Sequence, residues 1–223
     1  MTKIKIIPLS DRQPEAIIFD LGGVLLNLDL QKTIDAFRLL GFDNVEEKMA
    51  RIFKHSTEAG AAGLFQRYET GRITSAQFRD TIREHAGRYI SDEEIDRAWA
   101  AMLRDLPPVN IRILEKLSAS YKLYLLSNTN AIHIETLTQN PGKENGFPGL
   151  VKLFDKVYYS HILKMRKPDV EIFTYVIEDA GLNAETTLFI DDSAPNIEGA
   201  KEAGLMTVHH KRNAGLDQIF KTD

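Results

Sequence analysis

The chain has no cysteine and a single tryptophan among its 223 residues. Without thiols there is no disulfide framework and no thiolate metal centre, which fits a reducing compartment. No apolar run approaches the ~20 residues that a membrane-spanning helix needs. The opening stretch Met1 to Pro14 has Lys3 and Lys5 but no apolar core of signal length. A soluble cytoplasmic protein with no membrane partner is the expectation. Excess basic charge is missing too. Net charge is −4, so a nucleic-acid partner is not expected and any anion site must be local.

What is present is ordinary globular composition, 43% hydrophobic and 27% charged, which sets no limit on function. The length suits one large domain, or a domain carrying a sizeable insertion. Ala16 to Phe19 is short, apolar and rich in β-branched residues, and reads as a buried strand. Val24 to Leu30 reads as a tight loop or small hairpin. From about Gln31 to Leu106 the texture is amphipathic and helical. Ile34, Phe37 and Leu40 share one face, Phe78 and Ile82 another, and Ile95, Trp99 and Met102 a third. Gly71-Arg72-Ile73-Thr74 is a turn whose threonine can cap the next helix, and Ser91 with Glu94 forms a capping box.

Pro107-Pro108 closes this helical stretch. Beyond it, strands at Lys122–Leu126, Lys156–Tyr159, Thr187–Ile190 and Met206–Val208 alternate with helices at Ile111–Leu117, Ile132–Leu137, Asp169–Ala180 and Ile197–Ala203. Alternation of this kind predicts an α/β fold: a doubly wound, Rossmann-like parallel sheet as core, with an all-helical insertion. The expected division is residues 1–30 and 107–223 for the core and 31–106 for the helical cap. Gln139 to Gly149 reads as the least structured interior stretch, at the amino edge of the sheet and away from any site.

Four short segments fall at or just after strand ends, where open α/β sheets place their ligands. Ile17-Ile18-Phe19-Asp20-Leu21-Gly22-Gly23 puts an acid there, followed by glycines that let backbone approach whatever the acid binds. Leu126-Ser127-Asn128-Thr129-Asn130 offers a hydroxyl and backbone N–H groups for an anion, or plain helix capping by Asn128 or Asn130. Met165-Arg166-Lys167-Pro168 offers a fixed positive charge for a phosphoryl oxygen, or a plain surface lysine. Ile190-Asp191-Asp192-Ser193, with Asn196 beyond, is the most specific. Adjacent carboxylates repel, and two together call for a cation. Oxygen donors without a Cys or His cluster point to Mg²⁺.

In this order the four segments resemble the haloacid dehalogenase superfamily, most of whose members are phosphatases. The likeness spans nearly the whole chain, including Tyr68-Glu69-Thr70-Gly71-Arg72-Ile73-Thr74, similar to a turn common in helical caps of this type. It is nearest to the glucose-1-phosphate phosphatase branch and to the phosphatase domain of soluble epoxide hydrolases. The resemblance implies that Asp20 is the nucleophile, forming an aspartyl-phosphate. It implies catalytic and phosphate-holding roles for Lys167, and phosphate binding by Ser127 and Asn128. It implies a Mg²⁺ bound by Asp20, the Gly22 carbonyl and Asp192, with Asp191 as ligand or support. The substrate would be a small phosphorylated metabolite, and such a protein could act as a monomer.

One position departs from the pattern. Most phosphatases of this superfamily carry a second Asp two residues after the nucleophile, which protonates the leaving group. Here that position is Gly22. Losing such a group costs about a hundredfold to ten-thousandfold. Either the chain is catalytically weak, or its leaving group needs less help, as the anomeric oxygen of a hexose-1-phosphate would. Asn130, His133, His161 and Glu69 are candidate substitutes, with His133 and Glu69 expected on solvated helix positions and His161 in a loop. A metal-independent 2-haloacid dehalogenase would share the nucleophile, but the Asp191-Asp192 pair and the lack of an aromatic just after Asp20 oppose it. A non-catalytic binding module is the remaining alternative. The response-regulator receiver is rejected, because its acid pair precedes the phosphorylated Asp.

Overall fold

A computed structural model describes residues 4–6, 13–42, 44–45, 63–139 and 146–222. The central sheet has five parallel strands: β2 (Ala16–Phe19), β3 (Lys122–Ser127), β4 (Lys156–Tyr159), β5 (Thr187–Asp191) and β6 (Met206–His209). Their order is β4-β3-β2-β5-β6, all parallel, with Phe19 level with Leu125 on one side and Ile190 on the other. The chain builds outward from β2 through β3 to β4, then returns to add β5 and β6. The reversal lies between β2 and β5, and its carboxyl edge is where such sheets bind ligands.

Side chains of a strand alternate between faces, and each face of this sheet has its own core. Ile17, Phe19, Leu123, Leu125, Leu188 and Ile190 pack on one side with α5 (Pro108–Ser118). Ala16, Ile18, Tyr124, Leu126 and Phe189 pack on the other with α9 (Val170–Ala180) and α10 (Ala194–Glu202). Burial on both faces is why β2 reads as an unbroken apolar run rather than as alternation.

Between β2 and α5 lie α1 (Leu30–Leu39), α2 (Leu64–Glu69), α3 (Ser75–Ala86) and α4 (Asp92–Trp99). They share a third cluster centred on Trp99, with Phe37, Tyr68, Phe78, Ile82 and Ile95. Tyr68 stacks on Phe78 at 4.5 Å, and Phe78 meets Trp99 at 4.8 Å. Thr74 and Ser91 both form capping boxes, with Gln77 and Glu94. Each such cap is worth about 1 kcal/mol. Of the insertion, residues 46–62 lie outside the described residues.

Three local details are decided only by the structure. Ile4–Ile6, in the opening stretch to which no element was assigned, is strand β1, paired antiparallel with β7 (Phe220–Thr222). Phe220 reaches the core beside Phe19. Three-residue strands are too short to show a period. Within Gln139 to Gly149, residues 140–145 lie outside the described residues, but Phe147 begins a helix, α7 (Phe147–Val151), with Pro148 in its first turn. The helix α6 (Ala131–Gln139) precedes it. The stretch after Asp20 is an irregular loop with isolated bridges from Gly22 to Leu26 and Leu28 to Leu103, not a hairpin. No helix among the described residues is long and apolar enough to cross a membrane.

Candidate active site

Three adjacent strands end within two residues of one another and deliver Asp20, Ser127 and Asp191 to the same edge. The Asp20 N–H donates to the Ile190 carbonyl at 2.9 Å, which extends the ladder one residue and fixes the acid against β5. Lys167 arrives from the loop before α9 and is 1% exposed. Its Nζ donates to Asp20 Oδ1 at 2.7 Å, to Asp191 Oδ2 at 2.7 Å and to the Leu126 carbonyl at 2.9 Å. All three ammonium protons are thereby placed. The surface-lysine alternative for Lys167 falls.

Asp191 is fully buried, and both its oxygens are engaged. Oδ1 accepts from the Ser193 N–H and Asn196 Nδ2, and Oδ2 from Lys167 and Asn196. Asp192 Oδ2 pairs with Arg212 Nε. Carboxylate oxygens of Asp20, Asp191 and Asp192 all lie within 4.8 Å of one another. Burial pushes the Asp20 carboxyl up to about 7, against the pull of Lys167 and with the push of Asp191 and Asp192. Burial also works against the Lys167 charge, but Asp191 and Asp20 outweigh it and hold the ammonium above its ordinary value.

The two glycines do different things. Gly23 has φ +84°, and a Cβ there would fall 2.6 Å from Asp192 Oδ2. Only glycine lets the backbone turn this close to that carboxylate. At Gly22 the bridge to Leu26 uses the flanking Leu21 carbonyl and Gly23 N–H, leaving the Gly22 carbonyl outside it. A Cβ on Gly22 would meet Leu28 Cδ1 at 2.7 Å. Any side chain at this position would have to displace the tip of Leu28.

Asn128 is not the helix cap offered as one alternative for it. Its Nδ2 donates to the Lys167 carbonyl at 2.8 Å, and its Oδ1 accepts from the Lys167 N–H at 2.9 Å. The side chain clamps the lysine's backbone, so a substrate contact is left to its main chain. Asn130 does the capping, accepting from the His133 N–H at 3.1 Å. It also accepts from Trp99 Nε1 at 3.4 Å, while its Nδ2 is buried with no partner.

The substitutes for the missing acid are placed differently from expectation. His133 is buried, stacked 5.4 Å from Trp99, with Nε2 on the Trp99 carbonyl. Burial lowers its pKa to about 4. It belongs to the helical core. His161 sits on a short helix, α8 (Ser160–Leu163), rather than in a loop. Glu69 is only 4% exposed and pairs with Arg166 Nε at 3.2 Å. Neither His133 nor Glu69 is a solvated helix position, because the helices carrying them turn those faces inward.

Arg166, Ser160 and Arg212 received no role from the sequence. Arg166 had a signal, standing beside Lys167, and Ser160 follows a strand end. Nothing in the sequence ties Arg212 to Asp192, twenty positions earlier.

A family model for haloacid dehalogenase-like hydrolases matches residues 14–204. The chain belongs to this family. It is 32% identical over 202 residues to a D-ribitol-5-phosphate phosphatase of Bacteroides thetaiotaomicron, covering 91% of this chain and 94% of that one. It is 26% identical over 206 residues to a phosphorylated carbohydrates phosphatase of Thermotoga maritima, covering 90% and 88%. Among solved structures, a haloacid dehalogenase family enzyme of Bacteroides thetaiotaomicron, in complex with magnesium and inorganic phosphate, aligns with a TM-score of 0.83. The two are 40% identical, over 93% of this chain and all of that one.

Proposed function

We propose that this family member is a magnesium-dependent phosphoric monoester hydrolase acting on small phosphorylated carbohydrates. The observation that carries it is the Lys167 ammonium between Asp20 and Asp191, beside Asp192. The Lys167 ammonium and the Arg212 guanidinium face three carboxylates, which leaves a net negative charge that suits a divalent cation. The donor set is all oxygen, as Mg²⁺ prefers, and the Gly22 carbonyl stands outside its local bridge. Asp20, Asp192 and the Gly22 carbonyl would hold the ion, while Asp191 holds Lys167 and Asn196 in place. When bound, Mg²⁺ neutralises phosphate charge so that a carboxylate can approach a dianion.

Asp20 attacks phosphorus in line, the P–O bond to the leaving group breaks, and an aspartyl-phosphate forms. Lys167 and the Ser127 hydroxyl hold the equatorial oxygens as charge develops on them. Water then hydrolyses the acyl phosphate and restores Asp20. Residues 31–106 act as a cap that limits water and selects the leaving group. A hexose-1-phosphate leads the substrate panel, because its anomeric oxygen leaves with less proton assistance than an alcohol. The same chemistry admits the polyol phosphate class named for the Bacteroides relative.

The test is phosphate release from a panel of sugar and polyol phosphates, with Mg²⁺ and with chelator. Turnover is expected only with metal, and Asp20→Asn should abolish it. Full activity in chelator, or an active Asp20→Asn, would refute the assignment.

A further inference from the structure

Position 22 is glycine, and a Cβ there would meet Leu28 Cδ1 at 2.7 Å, so it supplies no leaving-group acid. Among the described residues the buried carboxylates are Asp20, Asp191 and Glu69. Asp20 is the nucleophile, and both oxygens of Asp191 are taken. Glu69 alone has no part in the chemistry so far.

Its position ties it to the site through the ends of two strands and the loop that carries Lys167. Ser160 Oγ, at the end of β4, lies 2.7 Å from the Glu69 carbonyl. The same Oγ accepts from the Thr129 N–H at 2.9 Å, in the loop that follows Ser127. Arg166, bonded to the Glu69 carboxylate, is the residue before Lys167. The turn after Glu69 packs so tightly that a Cβ on Gly71 would lie 2.2 Å from the His161 carbonyl. The carboxyl is thus carried by the helical insertion but seated among the loops at the carboxyl edge of the sheet.

We propose that Glu69 is the proton carrier for the leaving group, replacing the acid that Gly22 lacks. The inference rests on the phosphatase reading above. In the first half-reaction the substrate P–O bond breaks as Asp20 bonds to phosphorus, and the Glu69 proton goes to the departing oxygen. In the second, water attacks phosphorus, the bond to Asp20 breaks, and the water's proton returns to the Glu69 carboxylate. Burial holds this carboxyl up at about 7, opposed by Arg166 and more weakly by Lys167, so both states are accessible near neutrality. The charged groups facing it are Arg166 and Lys167. His161, on the adjoining helix, is kept below its ordinary value by burial, and so stays neutral there.

The experiment compares kcat/KM for glycerol 1-phosphate, whose alkoxide needs a proton, and 4-nitrophenyl phosphate, whose phenolate does not. Glu69→Gln should cost the alkyl ester about 10²–10⁴-fold and leave the aryl ester near wild type. In the unmodified enzyme, alkyl turnover should fall above about pH 7 while aryl turnover does not. Arg166→Met, which removes the opposing cation, should move that limb to higher pH. Equal losses on both esters would mean a structural role, and no loss on either would mean no role; each overturns the inference. If Glu69→Gln does not fold, the pH limb decides, and parallel alkyl and aryl profiles would count against Glu69. A wild-type enzyme that releases phosphate from neither ester, nor from the sugar and polyol phosphate panel, refutes the phosphatase reading itself. An inactive Asp20→Asn with an unchanged ester ratio in Glu69→Gln refutes only this step.

Discussion

Lys167 and Asp20 meet at 2.7 Å, across 147 positions of sequence, and both are nearly sealed from solvent. The contact also shapes stability. Asp191 shares the same ammonium, so removing it strands two buried carboxylates. Breaking a buried pair by deleting one partner costs about 3–5 kcal/mol. Lys167→Met is therefore expected to lower the urea unfolding free energy by an amount of that order and to abolish measurable turnover. A variant of wild-type stability would show that the carboxylates reorganise freely.

Asn128 acts on the lysine without touching it at the ammonium. Its two bonds hold the Lys167 peptide, and each is worth about 1 kcal/mol. Asn128→Ala should slow turnover roughly tenfold to a hundredfold, as sub-ångström misplacement of a charge does. Asn128→Asp keeps the acceptor for the Lys167 N–H but loses the donor, and should fall between. Steady-state kcat for the two variants checks the ranking.

Gly23 limits how Asp192 can sit. Alanine at φ +84° would be strained by about 1–2 kcal/mol, and its Cβ would collide with Asp192 Oδ2. Gly23→Ala should raise the Mg²⁺ concentration for half-maximal activity at least about tenfold, equivalent to about 1.4 kcal/mol. A Mg²⁺ titration of activity measures it. An unchanged midpoint would remove Asp192 from the metal set.

His133 gives the fold an acid weakness. Its folded pKa is lowered to about 4 by burial, from an ordinary 6.5. The unfolded chain therefore takes up the proton first. Stability is complete above pH 6.5 and is lost as pH falls from there towards 4, by roughly 2–4 kcal/mol for this one group. His133→Phe should flatten the pH dependence of the urea midpoint in that window. An unaltered slope would show that His133 is protonated without cost.

Much of the architecture was legible because it depends on local pattern. The β2, β3, β4, β5 and β6 strands announce themselves as short apolar runs, and the helix starts at Thr74 and Ser91 announce themselves as capping boxes. Strand β1 did not, since three residues carry no period and its partner β7 lies at the other end of the chain. The burial of Glu69 and His133 was also hidden. A single charged or imidazole side chain on an amphipathic helix looks solvated until a neighbouring element covers it.

By itself the sequence determined which chemical groups stand at strand ends, Asp20, Ser127 and the Asp191-Asp192 pair, with Lys167 just before a helix and glycine where an acid is usual. That much follows because a buried parallel strand must end where its apolar run ends. Only the tertiary structure decided how those groups share their bonds. It gave Asp191 and Asn128 to the support of Lys167, set the tip of Leu28 against Gly22, and brought Glu69 from the helical insertion to Arg166. Those pairings are set by packing between elements distant in sequence, and no local pattern encodes them.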